Sequence, residues 1–138
     1  MAATASARES KRKDGQIIAC KMAPVKIPKG ALVNINAAGY ATNASDTSGD
    51  TFAGVAYETV DNSGGSAGEK SIRVETTGSF EFADGGANGA QTDVGAEFKI
   101  MDNQTVTDAS TANNIKAGMC VESIDANTVR IRIDRYAM

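Results

Sequence analysis

The segment that decides the fold is SIRVETTGSFEFA, residues 71–83. Apolar and β-branched side chains recur there at every second position from Ile72 to Thr76, which is the period of a strand with one buried face. Gly78 interrupts the alternation, and two phenylalanines then share a face. The pattern predicts one long strand that is bulged or bent at Gly78.

Shorter segments of the same kind lie on both sides of it. Each is bounded by Gly, Asn, Asp or Pro clusters that favour turns. Gly54, inside one of them, is expected to mark a bulge or a close approach of two backbones. The further strand and hairpin candidates are 16–20, 31–36 with a turn at 39, 51–57, 97–107 and 118–136.

The last hairpin has an alternation of its own on both strands. We expect an inward face made by Met119, Val121 and Ile124 on the first strand, and by Val129, Ile131 and Ile133 on the second. Arg130 and Arg132 should then point outward.

Composition supports strands over helices. Leu32 is the only leucine among the 138 residues, whereas Val, Ile, Thr and Ala recur throughout, and β-branched side chains suit a pleated surface. Helix should be limited to one turn near 91–95 or 111–116. The sequence therefore predicts an all-β protein, a small β-barrel or β-sandwich with short strands, in which residues 15–138 form a single domain.

The charges are distributed unevenly along the chain. Residues 1–29 carry seven Lys or Arg against two acidic residues, a net +5, so the remaining residues carry −8. Residues 1–14, MAATASARESKRKD, have no apolar periodicity, and we expect them to form a flexible basic N-terminal arm. Such an arm suits an acidic surface on a partner, although a solubilising tail is an equal alternative.

Catalysis is not indicated, because the chain contains no histidine. This removes the commonest general base and the usual triad partner. Gly64 to Gly68 match the G-x-S-x-G pattern of a nucleophile elbow, but the elbow needs a strand-to-helix turn and a histidine. An enzyme is therefore the weakest of the functional hypotheses.

Metal binding and cofactor binding are not indicated either. Asp46, Ser48 and Asp50 have the alternate spacing of a calcium loop, but Thr51 and Tyr57 stand where that loop requires Gly and Glu. We expect a turn there. Four further carboxylates are also interpreted as turn caps: Asp84, Asp93, Asp102 and Asp108.

The two cysteines, Cys20 and Cys120, lie in no metal-type spacing, and we expect both to be buried thiols, with a disulfide between them left open. The N-terminus lacks the apolar core of a secretory signal, so synthesis in a reducing cytoplasm is expected. No apolar run approaches the length of a membrane-spanning helix.

Several short signatures, taken in order, resemble one family. From about residue 15 onward the chain is similar to the tailed-phage capsid cement or head decoration proteins. The residues that carry the resemblance are Lys29-Gly30 with Val33, Gly39-Tyr40-Ala41, Phe52 with Gly54-Val55-Ala56, Asp61-Asn62-Ser63, Arg73-Val74 with Gly78 and Phe80, and Val94-Gly95 with Asp102-Asn103 and Thr105-Val106.

The resemblance implies a structural virion protein on the outer surface of the capsid, without enzymatic activity or cofactor. It further implies the major capsid protein as partner and a homo-oligomer, with a trimer favoured. The arm lies outside the matched region, and our hypothesis for it is capsid contact. The residues of that hypothesis are Arg8, Lys11, Arg12, Lys13 and Lys21.

One other function stays open, and a second is unlikely. A phage tail, fibre or receptor-binding β module would use the same strand chemistry to present a ligand-binding surface. Nucleic acid is an unlikely partner, because no aromatic platform accompanies the Lys11 to Lys13 cluster and the body is acidic.

Overall fold

Twelve short strands and one 3-10 turn make up the part of the chain that the computed structural model describes, residues 3–86 and 89–133. The strands are β1 (Ile17–Lys21), β2 (Lys26–Ile27), β3 (Leu32–Ile35), β4 (Ala41–Asn43), β5 (Thr51–Ala56), β6 (Val60–Asp61), β7 (Ser71–Glu75), β8 (Ser79–Asp84), β9 (Glu97–Ile100), β10 (Thr105–Thr107), β11 (Lys116–Asp125) and β12 (Thr128–Arg132). The 3-10 turn is Gln91–Asp93, within one of the two regions predicted to hold a helical turn. The all-β prediction is confirmed.

The first sheet is antiparallel and curls until its two ends meet. Its strand order is β1-β7-β5-β3-β4. Met22, directly after β1, bridges Ala41 at the start of β4, and the Ala23 N–H donates to the Ala41 carbonyl at 2.9 Å. A two-stranded ribbon of β2 and β6 lies in the connections.

The second sheet is a closed barrel. Its strand order is β10-β8-β12-β11-β9, and the parallel pair of β8 and β10 completes the ring. Every other pair in the ring is antiparallel. The two hairpins predicted at 97–107 and 118–136 supply four of its five strands, apart from residues 134–136, which lie outside the described residues.

The segment 71–83 differs from the prediction, because it is two strands rather than one bent strand. Residues 71–75 pair with β1 and β5 in the first sheet, whereas residues 79–84 enter the barrel. Gly78 has a φ of 119°, which turns the chain between the two sheets. This segment therefore joins the two halves of the molecule.

Two hydrophobic cores share the wall that β3 and β5 form. Leu32, Phe52 and Val55 belong to the barrel-side core with Phe82, Phe98 and the inward residues of β12. Val33, Ala53 and Ala56 belong to the other core, which the curled first sheet encloses with Met22, Ile72 and Val74. Both faces of the wall are buried, so neither half has a core that is independent of it.

A bulge at Gly54 keeps the side chains of β5 on the correct faces. Val33 pairs with Gly54 and Asn34 pairs with Phe52, so Ala53 is an extra residue in β5. This insertion lets Phe52 and Val55 share the barrel-side core although three positions separate them. The bulge and the close backbone approach predicted at Gly54 are both confirmed.

The inward face predicted for the first strand of the last hairpin is wrong. Met119, Val121 and Ile124 are 40%, 37% and 38% exposed, and Ala117 and Cys120 are buried instead. Three register shifts in β11, at 116–118, 120–122 and 123–125, offset its alternation. The inward face predicted for the second strand, Val129, Ile131 and Ile133, is confirmed.

We predict that Gly54→Ala strongly destabilises the fold. A Cβ at this position would collide with the Glu75 carbonyl oxygen, and the φ of 152° is unfavourable for alanine. The free energy of unfolding, measured by urea titration, should fall by about 2 kcal/mol or more.

Gly64→Ala is the matched control, because nothing lies within 4 Å of its added Cβ. It should change the free energy of unfolding by less than about 0.5 kcal/mol. Equal stability of the two variants would contradict the role assigned to the bulge.

Candidate functional site

The five predicted contact residues all lie on the surface. Arg8, Lys11, Arg12 and Lys13 are exposed, and residues 3–14 form no strand. Lys21 is also exposed, but it lies at the far end of β1 rather than with the other four. The structure therefore places four of the five residues on one segment and the fifth at the end of the strand that follows it.

Thr76 anchors the arm where it meets the first sheet. Its N–H donates to the Gln16 carbonyl at 2.9 Å, and its Oγ1 donates to the Gly15 carbonyl. Asp14 adds a local turn, because its Oδ1 accepts from the Gln16 N–H at 3.1 Å. The arm thus leaves the body at a fixed point beside the break in segment 71–83.

β1 is an edge strand with apolar side chains on both faces. Ile17 and Ile18 are 41% and 38% exposed, and adjacent residues of a strand point to opposite faces. Hydrogen bonds at Gln16–Thr76 and Met22–Lys70 fix the phase of the ladder to β7. By alternation, the backbone N–H and C=O groups of Ile17, Ala19 and Lys21 face away from β7.

A second apolar surface lies on the outside of the barrel. It includes the outward side chains of β11, Met119 and Val121, which are more than one third exposed. Val94 is exposed nearby, since the N–H of the next residue, Gly95, donates to the Cys120 carbonyl at 2.8 Å. Sequence reasoning missed this surface because it placed Met119 and Val121 inside.

Three adjoining cavities form an open groove around Gly30, between the first sheet and the barrel. Their volumes are about 410, 340 and 290 Å³, and all three include Gly30 in their lining. Tyr57 and Phe80 line the largest, whereas Gln104 and Asn127 line the smaller ones. The groove therefore offers aromatic rings at one end and amides at the other.

The Asp46 region is a connection between loops. The Asp46 carboxylate accepts from the N–H groups of Ala112 and Asn113 at 3.0 and 3.1 Å. Asp50 accepts from the Nδ2 of Asn34 at 3.3 Å. In residues 3–86 and 89–133, no group of three or more Cys, Asp or Glu side chains could hold a metal ion.

A carboxylate cluster at the end of the barrel was not predicted. Asp84 does cap a turn, since its Oδ1 accepts from the Gly86 N–H at 2.8 Å, but it is only 5% exposed and Asp93 is only 6% exposed. Burial raises the pKa of Asp93, and the nearby charges of Asp108 and Asp84 raise it further. Nothing in the sequence signals this proximity, because the three residues lie in separate turns.

The two cysteines are free thiols in different sheets. Cys120 is buried as expected, whereas Cys20 is only half-buried because it lies on the edge strand. Burial raises the pKa of both thiols.

Comparison of the chain with protein-family models, curated proteins and solved structures finds no match. Within the described residues, no helix has the length and apolar character needed to cross a bilayer.

We predict that replacing Ile17 and Ile18 together by threonine leaves the fold intact. Threonine keeps the β-branch that suits a strand, and both isoleucines bury only part of their surface. The free energy of unfolding should fall by less than about 1 kcal/mol for each residue, as measured by urea titration. A larger loss would mean that β1 is part of the core.

Proposed function

We propose that this chain is a capsid decoration or cement protein that binds the outside of an assembled phage head and stabilises it. The observation that carries the proposal is the continuity of a basic arm with an open, apolar edge strand. The arm holds Arg8, Lys11, Arg12 and Lys13, and β1 follows with Ile17 and Ile18 exposed. Together they form one extended surface on an otherwise acidic body, which suits adhesion rather than turnover.

The two parts of this surface contribute in different ways. The arm orders on an acidic groove between subunits of the major capsid protein, and its charges act over about 10 Å at moderate salt. The outward N–H and C=O groups of Ile17 and Ala19 pair with an extended segment of the capsid protein, as in strand addition to a sheet edge. Many such weak contacts across the lattice act multivalently.

Assembly into a homo-oligomer, with a trimer favoured, belongs to the same proposal. The exposed apolar side chains of Met119 and Val121 on the barrel support it, since a second copy would cover them. On the capsid surface, such an oligomer would present several arms and edge strands at once.

Deletion of residues 1–14 should weaken binding to purified heads and reduce its dependence on salt. Four basic side chains at up to about 1 kcal/mol each predict a loss of roughly tenfold or more at low salt. Occupancy is measured by co-sedimentation with heads of the encoding phage across a sodium chloride series.

Two further variants separate charge from length. A Lys11→Gln, Arg12→Gln, Lys13→Gln variant should reproduce most of the loss. Replacing three lysines of the body, Lys26, Lys70 and Lys116, by glutamine should not reproduce this loss of binding. Unchanged occupancy and salt response after deletion would remove the arm from the mechanism.

The edge strand has a test of its own. The Ile17→Thr, Ile18→Thr double variant should bind heads about tenfold more weakly at every salt concentration, because it removes apolar contact rather than charge. Ile124→Thr makes the same change on the barrel, where the side chain is 38% exposed, and should leave head binding unchanged. The reverse result would place the head-binding surface on β11.

The groove around Gly30 favours one alternative, a tail, fibre or receptor-binding module. Clefts that combine aromatic rings with a few polar groups are common ligand sites, and Tyr57, Phe80, Gln104 and Asn127 supply such a set. Labelling of the protein on intact particles separates the two functions. The label should appear on the head if the chain is a decoration protein, and on the tail if it is a receptor-binding module.

A further inference from the structure

Three carboxyl groups from distant parts of the sequence meet at one end of the barrel. Asp84 ends β8, Asp93 ends the 3-10 turn, and Asp108 directly follows β10. A Cβ added at Gly86 would lie 3.2 Å from an oxygen of Asp84 and 3.2 Å from an oxygen of Asp108, so these two carboxylates face a common point. The Asp93 and Asp108 side chains are within hydrogen-bonding reach of each other.

Two oxygens of this cluster are buried without a donor. In the described residues, the Oδ2 atoms of Asp84 and Asp93 have no hydrogen-bond partner, and both residues are more than nine-tenths buried. A buried carboxylate oxygen that accepts no hydrogen bond disfavours the ionised form of its group. Two carboxyl groups can hydrogen-bond to each other only when one of them carries a proton.

We propose that Asp93 keeps a proton in the folded protein and donates it to Asp108, so that the cluster is a pH-sensitive lock between the 3-10 turn and the barrel. The step is simple proton binding: above the pH at which an unfolded aspartate ionises, Asp93 takes up one proton from solvent on folding and releases it when the turn opens. The inference does not depend on capsid binding.

The surroundings favour a bound proton over a bound cation or an ion pair. The titratable groups that face Asp93 are Asp84 from β8, Asp108 after β10 and the Cys120 thiol on β11. Lys99 on β9 approaches, but its Nζ donates to the backbone carbonyl of Asp108 at 3.1 Å. No set of three such side chains in residues 3–86 and 89–133 has metal-binding geometry.

The lock acts on the segment that closes this end of the barrel. The backbone of Asp93 takes part in that closure, since its carbonyl accepts from the Ala96 N–H at 2.9 Å, and the Gly95 N–H donates to Cys120. Burial and neighbouring charges raise the pKa of Asp93 in the folded state. The bound proton therefore adds to the free energy of unfolding, and this contribution is complete below the unfolded pKa of aspartate. That contribution is lost as the pH rises through the folded pKa.

Asp93→Asn tests the lock, because asparagine keeps the shape and a donor but cannot ionise. The ratio of folded to unfolded protein is measured by urea titration from about pH 4 to about pH 8. An ordinary aspartate loses its proton near the acidic end of this range. Wild type and variant should be similar at the acidic end. As the pH rises, the ratio of folded to unfolded protein should become larger in the variant than in wild type. The difference should reach about tenfold for each unit by which the pKa of Asp93 is raised.

Asp125→Asn is the matched control. Asp125 is exposed and caps a turn by accepting from the Asn127 N–H, a bond that asparagine can also accept. This variant should show no gain that grows with pH. A gain of the same size in both variants would overturn the proposal, because the effect would then come from net charge.

Carboxyl carbon chemical shifts of the wild-type protein, followed by NMR across the same pH range, read Asp93 directly. The proposal requires that Asp93 titrate above the other aspartates and that Asp108→Asn move its titration. Titration of Asp93 at or below the ordinary aspartate range would overturn it. Stabilisation of wild type by calcium chloride at neutral pH, absent in Asp93→Asn, would also overturn it and would identify a cation in place of the proton.

Discussion

The fold depends on a wall that is buried on both faces. β3 and β5 separate the two cores, so each must supply apolar side chains in both directions within a few residues. Leu32 and Val33 do so on β3, as do Phe52 and Ala53 on β5. One polar side chain lies in this wall: Asn34 donates from its Nδ2 to the Ser45 carbonyl and to Asp50, whereas its Oδ1 is buried without a hydrogen-bond partner in the described residues.

The sequence predicts the strands well because alternation is a local property. It does not predict how strands combine, because pairing and phase depend on distant residues. Segment 71–83 reads as one strand, yet the turn at Gly78 sends its halves to different sheets. The face of β11 was assigned wrongly for the same reason, since register shifts against β9 and β12 decide which side chains point inward.

In the candidate site, too, local features can be predicted from the sequence and features that depend on distant residues cannot. The basic residues of the arm are visible in the sequence because charge clustering is local, and the structure places them on the surface. The exposure of Ile17 and Ile18 cannot be predicted from the sequence. Two adjacent apolar residues in a strand suggest burial, and only the strand order shows that β1 lies at an edge. The proximity of Asp84, Asp93 and Asp108 is likewise a product of barrel closure.

One junction connects the candidate binding surface with both halves of the scaffold. Thr76 holds the root of the arm through Gly15 and Gln16, and two residues later the Gly78 carbonyl accepts from the Ile133 N–H at the end of the last barrel strand. In the proposed function, a load that a capsid places on the arm would enter the protein at this junction. The load would be shared between the curled sheet and the barrel, and β1 would not be pulled away alone. A protein that stiffens a shell needs its binding surface to be connected to the rest of its fold in this way.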